Sequence, residues 1–176
     1  MTAENSLLKE AIARQYQSTL KMLGQAIELC PPSLWLDTSE SSPNRYWHIA
    51  YHALFYTHFY LALREADFVP WQNHRPEYNF LGAVPRKPDD LTKPEDVPKI
   101  DQHYTQAELL EYLSLCQREV DTQIAVLNPE EDSGFYWLPF NKLELQFYNI
   151  RHLAHHTGQL ADRLRAQAKI GLPWVR

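Results

Sequence analysis

Cysteine is scarce in this 176-residue chain, and that scarcity closes several options at once. Only Cys30 and Cys116 occur. Neither has a Cys or His at zinc-finger spacing, so a thiolate metal site is not expected. Both sit inside apolar helical patterns and read as buried free thiols. Basic charge is also short, with 17 Lys and Arg against 22 Asp and Glu, a net of −5, and the two signs are interspersed. This argues against a broad nucleic-acid surface. No apolar run approaches the length of a bilayer span. Residues Met1 to Ser6 hold no basic segment ahead of an apolar one, so no signal peptide is expected and a cytoplasmic location is. There is no Gly-rich phosphate loop, no Gly-x-Ser-x-Gly elbow and no His-Glu-x-x-His. The Glu-x-x-His pairs of a ferritin-like di-iron centre are missing too. Internal repeats and low-complexity segments are absent.

What the chain has instead is histidine in pairs. His152, His155 and His156 lie within five residues. On a helix, His152 and His156 are i, i+4 neighbours on one face, while His155 is turned about 60° from His152. Upstream, His48 and His52 repeat the i, i+4 spacing. Two imidazoles so spaced can hold one metal ion, and a third from another helix would complete a three-histidine site with an open position. Either His52 or His48 could be that third ligand. Imidazole serves zinc, nickel, iron and cobalt alike. The bland alternative is histidines hydrogen-bonded in a core.

The frame for these residues is helical. Leu8, Ile12, Tyr16, Leu20, Leu23 and Ile27 recur at three- and four-residue steps and predict a first helix from about Ser6 to Cys30, stopped by Pro31-Pro32. A second helix, capped by Ser42 or Asn44, is expected from about Asn44 to Ala66. It is nearly apolar all round, hence central. Residues 67–104 contain six prolines, which forbids a regular helix through them. The aromatic first half, Phe68 to Trp71 and Tyr78 to Gly82, reads as a pocket wall or lid, or as a packed irregular crossover. Thr105 to Glu108 is a capping box opening a third helix to about Leu127. Asn141 caps a last helix to about Lys169, with Gly171 and Pro173 as its stop. Its apolar stripe is Leu143, Phe147, Ile150, Ala154, Gly158, Ala161 and Leu164, where Ala154 and Gly158 would admit a close neighbouring helix. Four long helices and no convincing strand predict one all-α domain over residues 1–176, a four-helix bundle with a long crossover between the second and third helices.

The segments Trp47-His48-Ile49-Ala50-Tyr51-His52 and His152-Leu153-Ala154-His155-His156-Thr157-Gly158-Gln159-Leu160 resemble the DinB/YfiT-like superfamily of metal-binding four-helix bundles. The second matches that family's His-x-x-His-His-x-Gly-Gln pattern closely, and the resemblance covers nearly the whole chain. It implies a divalent metal, zinc or nickel, on His52, His152 and His156, with His48 a competitor for the place of His52. His155 would then stand behind the ligands, with Gln159 one turn below. It further implies a thiol-dependent transferase or small-molecule hydrolase, with a small substrate such as a low-molecular-weight thiol, and a homodimer formed through helix faces. The alternative expectation is a non-catalytic helical dimer that holds a ligand or metal. No general base stands out: Glu144 and Asp162 lie on the last helix with nothing to mark them.

Overall fold

Apolar periodicity and two side-chain caps account for most of the architecture. The computed structural model describes residues 3–38, 43–82 and 100–176. The expected cap Ser42 and four of the six loop prolines, Pro85, Pro88, Pro94 and Pro98, lie outside the described residues. The fold is all-α, with no β-strand among the described residues. An isolated bridge pairs Asp132 with Asn141 across a loop.

Helix α1 spans Ala3–Glu28 and buries Ile12, Tyr16, Leu20, Leu23 and Ile27, the stripe the spacing predicts. Pro32 sits in the first turn of a short helix α2, Pro32–Trp35, where its missing N–H costs nothing. Helix α3 spans Tyr46–Leu61, and 13 of its 16 residues are buried, so it is the central element. Its N-cap is Arg45 without a side-chain hydrogen bond, not Asn44, whose carbonyl is taken by Arg163 Nη1 at 2.8 Å. Helix α4, Gln106–Val126, opens on the capping box: Thr105 accepts from the Glu108 N–H, and the Glu108 carboxylate accepts from the Thr105 N–H at 2.7 Å. Helix α5, Lys142–Arg163, opens with the Asn141 side chain accepting from the Glu144 N–H at 2.8 Å. It runs on as one wide turn through Ala168 and stops at Lys169, whose φ of +62° is left-handed. Helix α3 packs against α5 and α4, and α1 packs against the same two. No helix among the described residues is long and apolar enough to cross a membrane. Cys30 and Cys116 are buried free thiols, and burial raises both pKa values.

Two expectations need correcting. Helix α3 ends at Leu61, not Ala66. Ala62 leaves the helix at ψ 147°, and a 3-10 turn at Glu65–Asp67 follows. The carbonyls of Ala62 and Leu63 are drawn instead to Lys142 Nζ, and the Glu65 N–H goes to Gly134 O at 3.1 Å. Tertiary partners thus outbid helix continuation. The face of α5 also differs. Phe147 is 55% exposed, Ala154 and Gly158 are exposed, and nothing approaches Gly158 closely. The buried side carries Leu145, Gln146, Asn149, Leu153, His156, Leu160 and Arg163. Two of its polar members are tied across the interface: Tyr16 donates to Gln146 Oε1 at 2.9 Å, and Asn149 donates to Thr57 O at 3.0 Å.

Candidate metal centre

The packing of α3 on α5 brings His52, His152 and His156 together, with one ring nitrogen of each within 4.8 Å of the others. His152 Nε2 lies 3.1 Å from His52 Nε2 and 3.2 Å from His156 Nε2. A tetrahedral zinc site, with bonds of about 2.0–2.1 Å, separates its nitrogens by about 3.3 Å. The observed spacing is therefore close to one face of such a site.

The outer nitrogens decide what the inner ones can do. His52 Nδ1 meets the carbonyl of Asn79 at 2.6 Å, and a carbonyl only accepts, so the proton is on Nδ1 and Nε2 is a bare lone pair. His156 Nδ1 meets Gln159 Oε1 at 2.7 Å with the same consequence. Two lone pairs thus face one another across His152 Nε2, which carries at most one proton. His152 Nδ1 is buried with no partner among the described residues. Hydrogen bonds among the three rings leave the set electron-rich, and a cation is the group that satisfies all three. The residues present therefore fit a divalent metal.

Electrostatics put the rings in the correct protonation state. Burial, then the neighbouring His156, pulls His52 down to about 3. Burial and His156 pull His152 down to about 4. Burial lowers His156 as well, against the bond from Gln159. All three are neutral at pH 7, as metal ligation requires. The sign for stability follows. An unfolded histidine titrates near about 6.5, so between there and about pH 4 the unfolded chain binds more protons than the folded one. This contribution to stability is complete above pH 6.5 and is lost as pH falls. Chelator-treated protein should lose on the order of 2 kcal/mol between pH 7 and 5 for each of His52 and His152. The drop should be visibly smaller in His152→Gln. Equal drops in parallel thermal melts would refute the assignment.

His48, the competitor for the third position, is turned elsewhere. Its Nε2 hydrogen-bonds the Tyr78 carbonyl at 2.8 Å, and its ring stacks on Trp47. His48 and His52 therefore fasten two consecutive carbonyls, Tyr78 and Asn79, of the aromatic loop half. That half is a packed wall here: Tyr78 and Asn79 are buried, and Trp71 stacks on Tyr112. His155 is exposed, with its ring 5.0 Å from that of His156.

Sequence reasoning missed two partners. The Asn79 carbonyl is a backbone group with no sequence signature. Tyr56, one turn after His52, had a signal in that spacing. Its ring lies 4.8 Å from His52 and 5.5 Å from His152, and its hydroxyl accepts from Asn79 Nδ2 at 3.2 Å. Beside His152 a depression of about 260 Å³ is lined by Tyr148, Arg151, His152 and His155. Tyr148 continues through Tyr60 to Phe135 and Trp137, an aromatic wall leading away from the centre.

Comparison of the chain with protein-family models, with curated proteins and with solved structures finds no match.

Proposed function

We propose that the chain is a metal-dependent enzyme built on a DinB-like four-helix bundle, holding a divalent zinc or nickel ion on His52, His152 and His156. The observation that carries this reading is the convergence of three neutral imidazoles from two helices, two of them with their tautomers set by Asn79 and Gln159. A divalent metal in such a site supplies Lewis acidity and lowers the pKa of a thiol or water bound to it. The reaction class we favour is transfer of a low-molecular-weight thiol to an electrophile, with hydrolysis of a small substrate second. None of the residues lining the depression is a carboxylate that could serve as general base. A thiol needs such a base less than water does, because its pKa starts far lower. The chain's own residues have positioning roles. Tyr56 and Tyr148 wall the space beside His152, and the aromatic ladder behind Tyr148 receives the apolar part of a substrate.

The test is a zinc- or nickel-loaded screen of low-molecular-weight thiols against alkyl and aryl electrophiles, reading thiol consumption and product mass. Turnover should require the metal and vanish in His156→Ala. Turnover that survives intact in that variant would sink the mechanism.

A second reading is a non-catalytic protein that holds a ligand in the same pocket and pairs with a second copy through a helix face. The exposed side of α5, with Phe147, Ala154 and Gly158 outward, favours it. Metal-dependent thermal shifts without turnover across the panel would support it.

A further inference from the structure

Away from the histidine centre lies a donor with nothing to donate to. Trp71 is 3% exposed, and its indole Nε1–H is buried without an acceptor among the described residues. Its ring is held parallel to Tyr112 at 4.5 Å, and the Tyr112 hydroxyl meets His58 Nδ1 at 3.2 Å. Trp71 and His58 both line a groove of about 550 Å³ between the end of α3, the segment after it and α4. His58 follows His52 by six residues, about 120° around α3, so the groove is on a different side of that helix from the three histidines.

We propose that this groove binds a small neutral molecule, a primary carboxamide carried on an apolar alkyl or aryl body. The first argument is the indole. It has one hydrogen-bonding state and can only donate, so the molecule must bring an oxygen acceptor. Leaving a buried donor unmet is costly, and a carbonyl that reaches it removes that cost.

The second argument is the opposite demand on the α4 wall. Gln72 donates to Glu111 Oε1 at 3.1 Å, and Gln123 donates to Glu119 Oε2 at 3.2 Å. Each carboxylate is thereby held in place with its other oxygen left for a further donor. Asp67, also in the lining, is already paired with Arg64 at 2.9 Å.

Together these demands select against charge. An ammonium would satisfy Glu111 and Glu119 but leave the indole N–H unmet. A carboxylate would meet the indole and Arg118 but face the two acidic side chains. A carboxamide supplies an acceptor and two donors with no net charge. Phe68, edge-on against His58, and Leu115 give its apolar body a surface to lie on. None of this depends on the three-histidine centre.

The experiment titrates isotope-labelled full-length protein with 2-phenylacetamide, and separately with 2-phenylethylammonium, phenylacetate and phenylacetone, up to about 10 mM. The five tryptophans give five indole N–H signals, and that of Trp71 is the readout. It should move saturably downfield with the amide and stay in place with the ammonium. Phenylacetone, which has the acceptor and no donor, should move the same signal but bind about five-fold more weakly. Phenylacetate should bind about ten-fold more weakly than the amide. Trp71→Phe keeps an aromatic ring and removes the donor. In that variant the side-chain amide signals of Gln72 and Gln123 should report binding of the amide about ten-fold weaker, with a thermal melt to check the fold. The four-ligand series decides the matter on the wild type alone. A Trp71 signal unmoved by the amide, or equal responses to all four probes, would overturn the proposal. So would an unchanged amide affinity in folded Trp71→Phe.

Discussion

Protein purified without a histidine tag should carry close to one divalent metal per chain, and His52→Ala, His152→Ala and His156→Ala should each lose it. Three nitrogens already spaced at 3.1 and 3.2 Å need little rearrangement to bind. Their low pKa values mean that protons compete weakly above about pH 5. Because the unfolded chain does not assemble the three rings, metal binding is linked to folding. A free metal concentration 100 to 1,000 times Kd stabilises by about 3–4 kcal/mol. Added zinc or nickel should therefore raise the Tm of the chelator-treated wild type by several degrees and leave the three variants unmoved. His48→Ala is the discriminating control. It should keep its metal while losing the tie to the Tyr78 carbonyl. Elemental analysis of the four variants beside wild type reads all of this. Metal retained in His52→Ala and lost in His48→Ala would reverse the assignment. No metal and no uptake in the wild type would leave a helical protein with packed histidines.

The largest stability effect away from the site should come from Lys142→Met. This lysine is only 4% exposed, yet it is the first residue of α5. Its three ammonium donors match three carbonyls: Ser133 O at 2.6 Å, Ala62 O at 3.4 Å and Leu63 O. Burial pulls its pKa down, and Glu131 partly offsets that. Methionine keeps most of the stem and removes every donor, leaving the end of α3 and the loop before α5 with unmet acceptors. The expected cost is about 3 kcal/mol, read as a lower urea midpoint at unchanged m-value. Gly134→Ala should cost a similar amount at the same knot. Gly134 has φ +83°, and an added Cβ would collide with the Leu63 carbonyl oxygen and the Arg64 backbone. Folding at 10–20 °C should leave metal stoichiometry intact in both, because neither residue contacts the histidines. Losses below about 0.5 kcal/mol would show that the contacts are not a staple.

The sequence by itself determined the helices whose signals are local. The α1 stripe, the Thr105–Glu108 capping box and the Asn141 cap act within one or two turns, so the chain carries them in plain view. It also determined that His152 and His156 share a face, since 3.6-residue geometry requires it. Only the tertiary structure chose His52 over His48 for the company of that pair. Both have the same spacing and the same apolar surroundings. What separates them is which loop carbonyl each meets and which way α3 is turned toward α5. Tertiary packing likewise rotated α5 so that Phe147, Ala154 and Gly158 face outward while Gln146, Asn149 and Arg163 face in. Hydrophobicity favours the opposite choice, and it is overruled because Gln146, Asn149 and Arg163 each make at least one hydrogen bond to another segment, such as Arg163 Nη1 to the Asn44 carbonyl. Lys142 ends α3 for the same reason. Backbone carbonyls carry no residue identity, so a contact made to one is written nowhere in the sequence until the chain has folded.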